Sequence, residues 1–402
     1  MKAVVFHAVG DIRLEDVPEP TLQAPTDAIV RLTGSAICGT DLHFVRGTFT
    51  GFDEGQILGH EGVGVVESVG SDVKNIKVGQ RVVIPSTVGC GECKFCRREL
   101  YAQCDRANPG GKLAGSVFYG GPVATGNLPG LQAEKARVLY ADVNLVPIPD
   151  GITDDQAVIV SDILTTAWFG TELAEVEEGD DVLIFGCGPV GQLAIASAKL
   201  KGARVIAVDR LTERLQAAKR QGADTINFDE EKVVDAVLRL TDGDGAAKVI
   251  DLVGIDAQHP QQGPGVPGKD EAAAIAQVRK SATPDAIRSG DHWVAGDNPA
   301  QVLEWAVECA AKVGTIAIVG VYPPTISSYP IGTAINKNLT IRMGICNHRR
   351  YVQVIFDHIL AGRLDPTKIV TQDEPIADII EAYEAFDHRR KGWLKVEVQP
   401  QG

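Results

Sequence analysis

Apolar positions come in short alternating runs over the first third of the chain and settle into a longer rhythm near residue 180. Met1–Phe6, Ala28–Leu32, Gly62–Val69 and Gln80–Ile84 are apolar-rich runs cut by Gly, Pro and Asp. That pattern predicts many short strands and a barrel-like or sandwich domain. Further on, Asp181–Phe185 predicts a buried strand, Pro189–Leu200 a helix, Arg204–Val208 a strand and Thr212–Gln221 a helix. Lys248–Val253, Thr315–Gly320 and Leu339–Met343 predict more strands, with a helix over Pro299–Lys312. Strands and helices in alternation make a doubly wound parallel sheet, so the fold class is α/β. The uncharged run Val182–Ala198 holds Gly186, Gly188, Pro189 and Gly191, which suits a strand, turn and helix better than a membrane span.

One stretch breaks the rhythm. Gly254–Asn298 is rich in Gln, Gly, Pro and Ala and reads as a long insertion, the kind of loop that is either functional or disordered. Beyond residue 345 the pattern mixes helix and strand and predicts a return to the first domain.

With 402 residues the chain is long enough for two domains. Its formal charge of −14 disfavours a nucleic-acid partner, which needs a basic face, and argues weakly against anionic membranes. The start has only a short apolar run before charges appear, which predicts a cytoplasmic protein with reduced thiols. The eight cysteines therefore read as metal ligands and core residues. Among them Cys187, Cys309 and Cys346 suit buried, inert positions.

Cys90, Cys93, Cys96 and Cys104 follow one another as C-x2-C-x2-C-x7-C. Four thiolates on one compact loop close a tetrahedron around Zn²⁺ with no open position, so this is a structural site. Upstream, Cys38 and His60 are a thiolate and an imidazole suited to a second, open zinc site, and Asp162 is a candidate third ligand. Gly186-Cys187-Gly188-Pro189-Val190-Gly191 fits G-x-G-x-x-G between a predicted strand and a predicted helix. Its glycines allow a tight turn, and the helix N-terminus offers N–H groups to a pyrophosphate. Asp209 ends the next strand, 23 residues after Gly186, where a carboxylate binds both ribose hydroxyls and repels a 2′-phosphate. The expected cofactor is NAD. Arg210, beside it, could stack on adenine or meet a phosphate.

Together these motifs resemble the zinc-dependent medium-chain alcohol dehydrogenase family over essentially the whole chain. Gly59-His60-Glu61-x-x-Gly64-x5-Gly70 is similar to its zinc signature, and the four-cysteine loop to its structural lobe. The resemblance implies a β-rich GroES-like catalytic domain over residues 1–164. A Rossmann domain would follow over 165–344, with the insertion at 254–298, and residues 345–402 would rejoin the catalytic domain. It implies two Zn²⁺ per subunit. Cys38 and His60 would ligate the catalytic ion, Asp41 would hold the His60 ring, and Glu61 would lie behind the metal. Thr40 would bond the substrate hydroxyl, and His43 would carry its proton onward. Pairing of nucleotide domains through a sheet edge at Thr315–Val321 would give a homodimer or homotetramer.

Most members carry Cys where this chain has Asp162. With that aspartate and its insertion, the chain resembles the glutathione-independent formaldehyde dehydrogenases and formaldehyde dismutases, in which the insertion is thought to lie over the cofactor. The expected activity is interconversion of small alcohols and aldehydes by hydride transfer, extending to formaldehyde oxidation or dismutation. An ordinary alcohol or polyol dehydrogenase with exchangeable NAD is the alternative. A non-catalytic NAD-binding redox sensor is more remote, because Cys38, His60, Thr40 and His43 are all present.

Overall fold

The computed structural model describes residues 1–401, which fold as two compact units. The first comprises residues 1–46, 50–165 and those from 345 onward; the second comprises residues 47–49 and 166–344.

The first unit is built on a seven-stranded sheet. Its order is Val370–Pro375, Lys395–Gln399, Ala28–Ile37, Gly62–Val69, Arg81–Ile84 and Val146–Pro147, with Lys135–Val138 also paired to Ala28–Ile37. A smaller sheet joins Lys2–Ala8 to Asp11–Asp16 and Gln56–Ile57. The long central strand Ala28–Ile37 fixes the site through its register. Ser35 pairs with Gly62 on one side, and Ile37 with Val396 on the other. The residues just beyond these pairs are Cys38, His60-Glu61 and Lys395, so antiparallel pairing gathers them at one strand end. The helix Asp154–Ser161 delivers Asp162 at its C-terminus. A capping box starts that helix: Gln156 N donates to Thr153 Oγ1 at 3.2 Å, and Thr153 N donates to Gln156 Oε1 at 3.1 Å. Its last residue accepts from Gly62 N through Ser161 Oγ at 3.3 Å, which ties the helix to the strand that follows His60.

The second unit is a six-stranded, wholly parallel sheet. Its order is Asp224–Asn227, Arg204–Asp209, Asp181–Phe185, Ala246–Asp251, Ala310–Ile318 and Thr340–Met343. Val182, Leu183 and Ile184 are fully buried, as strands covered on both faces require. Strand order reverses at Asp181–Phe185, and the glycine turn Gly186–Gly188 leaves its C-terminal end into the helix Pro189–Leu200. That is where open α/β sheets bind ligands.

Four elements depart from the sequence reading. Thr315–Val321 is not a sheet edge: Ala310–Ile318 lies between two neighbours, and Thr340–Met343 takes the edge. The strand Asp224–Asn227, which buries only Ile226, and the helix Val233–Leu240, which buries Val233, Ala236 and Val237, are elements that the sequence reading omits. The insertion is neither a bare loop nor disordered, since it holds the 14-residue helix Lys269–Ala282. This helix buries only its last residue, so it shows no apolar stripe, although its Ala, Lys and Glu content favours helix. Among the described residues no helix is long and apolar enough to cross a membrane.

Candidate active site

Cys38, His60, Glu61 and Asp162 each present a ligand atom within one cluster, all within 4.8 Å of one another and all buried. Asp162 Oδ2 lies 3.4 Å from His60 Nε2 and 3.7 Å from Cys38 Sγ. Thiol, imidazole and carboxylate thus converge as a three-residue set of the kind that binds catalytic zinc with one position left over. Glu61 Oε2 is buried without a hydrogen-bond partner, an orphaned acceptor that a cation would satisfy. The residues fit a zinc ion.

Surrounding side chains fix these ligands. Cys38 is the N-cap of the helix Gly39–Val45 and donates its backbone N–H to Asp41 Oδ2 at 2.9 Å. The other Asp41 oxygen lies 3.1 Å from His60 Nδ1, which leaves Nε2 toward the cluster. Gln132 donates to Asp41 Oδ2 at 3.3 Å and accepts from the Tyr383 hydroxyl at 2.7 Å. Behind Glu61, Lys395 reaches Oε1 at 2.5 Å and the Ile37 carbonyl at 2.9 Å, both charged groups being wholly buried. Burial works against the Lys395 charge, but Glu61 outweighs it and raises its pKa. Burial also opposes ionisation of Asp162, yet a hydrogen bond from His348 and the charge of His60 hold that carboxyl well below its usual range. Burial raises the Cys38 thiol, against the pull of His60.

Thr40 and His43 lie on the same short helix, Thr40 half-buried and His43 buried. Their i, i+3 spacing puts them on one helical face.

The four-cysteine lobe lies within the core of the first unit. Cys90 and Cys96 sulfurs are 4.0 Å apart, as are those of Cys93 and Cys104. A zinc–sulfur distance of about 2.3 Å implies edges of about 3.8 Å in a tetrahedron, so this set also fits zinc. Backbone N–H groups turn toward the sulfurs: Cys90 to Cys104 at 3.3 Å, Arg106 to Cys104 at 3.4 Å, and Cys96 to Cys93 at 3.5 Å. Burial opposes the charge on Cys93, but backbone donors from Cys96 and Asp105 bring that thiol down to about 6. None of the eight cysteines is disulfide-bonded, and Cys187, Cys309 and Cys346 are buried.

In the second unit Gly186 turns with φ of 90°, a conformation that favours glycine. A Cβ on Gly191 would stand 1.9 Å from the Gly186 carbonyl, so the turn and helix meet too closely for any side chain. Gly188 caps the helix Pro189–Leu200 with no side-chain cap, and Pro189 and Val190 form its first turn. The Asp209 carboxylate accepts from Cys187 N at 2.8 Å, Arg210 N at 2.7 Å and Leu211 N at 2.9 Å, which locks it against the glycine turn. This cradle fits a dinucleotide. Arg210 is held away from a free-phosphate role by Asp229 at 2.9 Å and by Gln258 at 3.1 Å. Gln258 belongs to the insertion, as does Gln261, whose N–H donates to Asp229 at 2.7 Å. The insertion is therefore anchored beside the Asp209 strand end.

Three contributors escaped the sequence reading: His348, Lys395 and Gln132. His348 lies 186 positions from the aspartate it touches (348 − 162), and no local pattern links the two. Lys395 carries a weak signal, a charge inside a short β-type run, Lys395–Gln399.

Residues 24–150 match the alcohol dehydrogenase GroES-like domain, and residues 189–261 match the zinc-binding dehydrogenase family. The chain is 34% identical to an uncharacterised zinc-type alcohol dehydrogenase-like protein of Bacillus subtilis, over 100% of both chains. It is 30% identical to the NADP-dependent isopropanol dehydrogenase of Thermoanaerobacter brockii, over 100% of this chain and 97% of that one. The solved alcohol dehydrogenase TADH of Thermus sp. ATN1 is similar at 32% identity, 99% coverage of both chains and a TM-score of 0.81. The chain belongs to the zinc-type medium-chain alcohol dehydrogenase family, with its GroES-like domain and Rossmann-like sheet. It is an enzyme, an oxidoreductase.

Proposed function

We propose that the enzyme interconverts small alcohols and aldehydes by hydride transfer to and from NAD(H), with a catalytic zinc on Cys38, His60 and Asp162. The observation that carries this reading is the buried convergence of those three ligand atoms. When bound, zinc supplies Lewis acidity to a substrate oxygen, and the nicotinamide supplies the hydride chemistry. The protein's own work is positional and electrostatic. Asp41 orients Cys38 and His60 together, and Lys395 holds one oxygen of Glu61. Thr40 takes the proton of the substrate hydroxyl, and His43, one turn along the helix, passes it to solvent. The four-cysteine lobe holds a second, structural zinc.

NAD is favoured over NADP because Asp209 stands at the ribose position and Arg210, the nearest cation in sequence, is neutralised by Asp229. In this respect the chain would differ from its NADP-dependent relative in T. brockii. Replacement of Cys38 by Ser or His60 by Ala tests the catalytic assignment. Loss of a metal ligand should lower kcat by more than the roughly 10- to 100-fold that loss of a ligand's supporting partner costs, with the fold kept. Wild-type turnover in either variant would refute it.

The anchored insertion favours a second reading: NAD stays bound across turnovers and formaldehyde is dismuted to methanol and formate. Desalted enzyme given formaldehyde without NAD would then form both products together. Desalted enzyme without bound nucleotide, active only on added NAD and alcohol, would leave the simpler dehydrogenase. The exposed Met343 on the edge strand Thr340–Met343 favours assembly through that edge as a dimer or tetramer, and a monomer in sedimentation would refute this.

A further inference from the structure

Asp162 has two oxygens, and only one of them faces the cluster. Oδ2 lies 3.4 Å from His60 Nε2 and 3.7 Å from Cys38 Sγ, whereas Oδ1 lies 2.7 Å from His348 Nε2. His348 opens the helix His348–Leu360 and is 3% exposed. Its Nδ1 is 3.0 Å from Thr87 Oγ1, and the same hydroxyl is 3.3 Å from the Cys346 carbonyl. Thr87 has one proton to give. If that proton goes to Nδ1, the neutral ring carries its own hydrogen on Nε2. If it goes to the Cys346 carbonyl, Nδ1 must itself carry a hydrogen to meet Thr87. A contact of 2.7 Å between Nε2 and Oδ1 then requires a second hydrogen on Nε2, since two bare acceptors repel at that distance. In both arrangements Nε2–H points at Asp162 Oδ1.

We infer that His348, set by Thr87, is the positioning residue that makes Asp162 a one-oxygen ligand of the catalytic metal. The inference rests on the reading of Asp162 as third ligand. A thiolate at that position would offer a single donor and need no such partner. A carboxylate can instead chelate through both oxygens or swing from one to the other, and either would raise the coordination number and close the position that substrate needs. With Oδ1 held by His348, the set keeps three ligand atoms and the geometry suited to zinc rather than to harder six-coordinate ions.

The test reads metal binding directly. Zinc affinity is measured by chelator competition on the intact enzyme, with the four-cysteine zinc as internal reference, and the visible Co(II) spectrum is taken after exchange of the open site. His348→Ala should weaken zinc retention about 10- to 100-fold and weaken the intense four-coordinate Co(II) bands. His348→Gln, which restores an N–H donor, should recover most of both, and Thr87→Val should move both in the direction of His348→Ala by a smaller amount. Wild-type retention and spectrum in His348→Ala, with metal lost from Asp162→Ala, would overturn the positioning role while leaving Asp162 a ligand. Undiminished zinc binding in Asp162→Ala would refute the ligand reading and this inference with it. Should His348→Ala fail to fold, Thr87→Val decides, and an unchanged Co(II) spectrum there overturns the proposal.

Discussion

At the scale of single residues, the strongest effects come from charge taken out of water. Asp41, Glu61, Lys395 and Asp162 are buried, and each is compensated by a named neighbour. Among the described residues Glu397 has no such cation on it, and it yields a prediction. Like Glu61 it has one oxygen without a hydrogen-bond partner, and burial, reinforced by Asp155 and Asp373, raises its carboxyl from 4.5 to about 8. The folded state therefore binds this proton more tightly than the unfolded chain does. The resulting stability is complete below about 4.5 and is lost as pH rises through about 8. Glu397→Gln should match wild type in Tm under acid conditions and exceed it in alkali; equal Tm values across the whole range would contradict this. The clusters themselves were legible at this scale: Cys38 and His60, and the four cysteines, announce themselves by type and spacing, and the structure brings each set together. Apart from Asp41 their supports were not, because Gln132, His348 and Lys395 reach their partners from far along the chain, and only Lys395 bears even a weak local mark.

At the scale of elements, the glycine turn and the cysteine lobe were both readable, since each is contained in fewer than twenty consecutive residues. The turn separates two roles that the motif runs together. A Cβ at Gly191 would strike the Gly186 carbonyl at 1.9 Å, whereas one at Gly188 would meet nothing nearer than Arg214 at 3.6 Å. Gly191→Ala should therefore lower Tm even without nucleotide, while Gly188→Ala should keep its Tm and lose NAD affinity by titration. The reverse pattern would show that the close approach lies elsewhere. The lobe makes a different prediction. If the lobe holds the proposed structural zinc, Cys104→Ala removes one of its four ligands, so soluble yield and Tm should fall together. A soluble Cys104→Ala enzyme with wild-type Tm would deny the lobe a structural ion. Elements without an apolar stripe hid from the sequence, as the exposed helix Lys269–Ala282 illustrates.

For the whole molecule, alternation of strand and helix was enough to expose the parallel sheet, but not its lateral order. Pairing between distant strands moved the edge from Thr315–Val321 to Thr340–Met343. Register likewise brings Cys38, His60 and Lys395 to one strand end, from positions that span nearly the whole chain. The proposed function requires both an open zinc site and a nucleotide cradle in one chain. The most direct test is to count zinc in the purified protein, remove the ion from the Cys38–His60–Asp162 set by mild chelation, and follow NADH formation from a short alcohol before and after zinc is restored. Two zinc ions per chain, activity lost with the first ion released and regained on its return, is the predicted result. NAD-dependent turnover that survives with that site emptied would contradict a catalytic zinc on Cys38, His60 and Asp162.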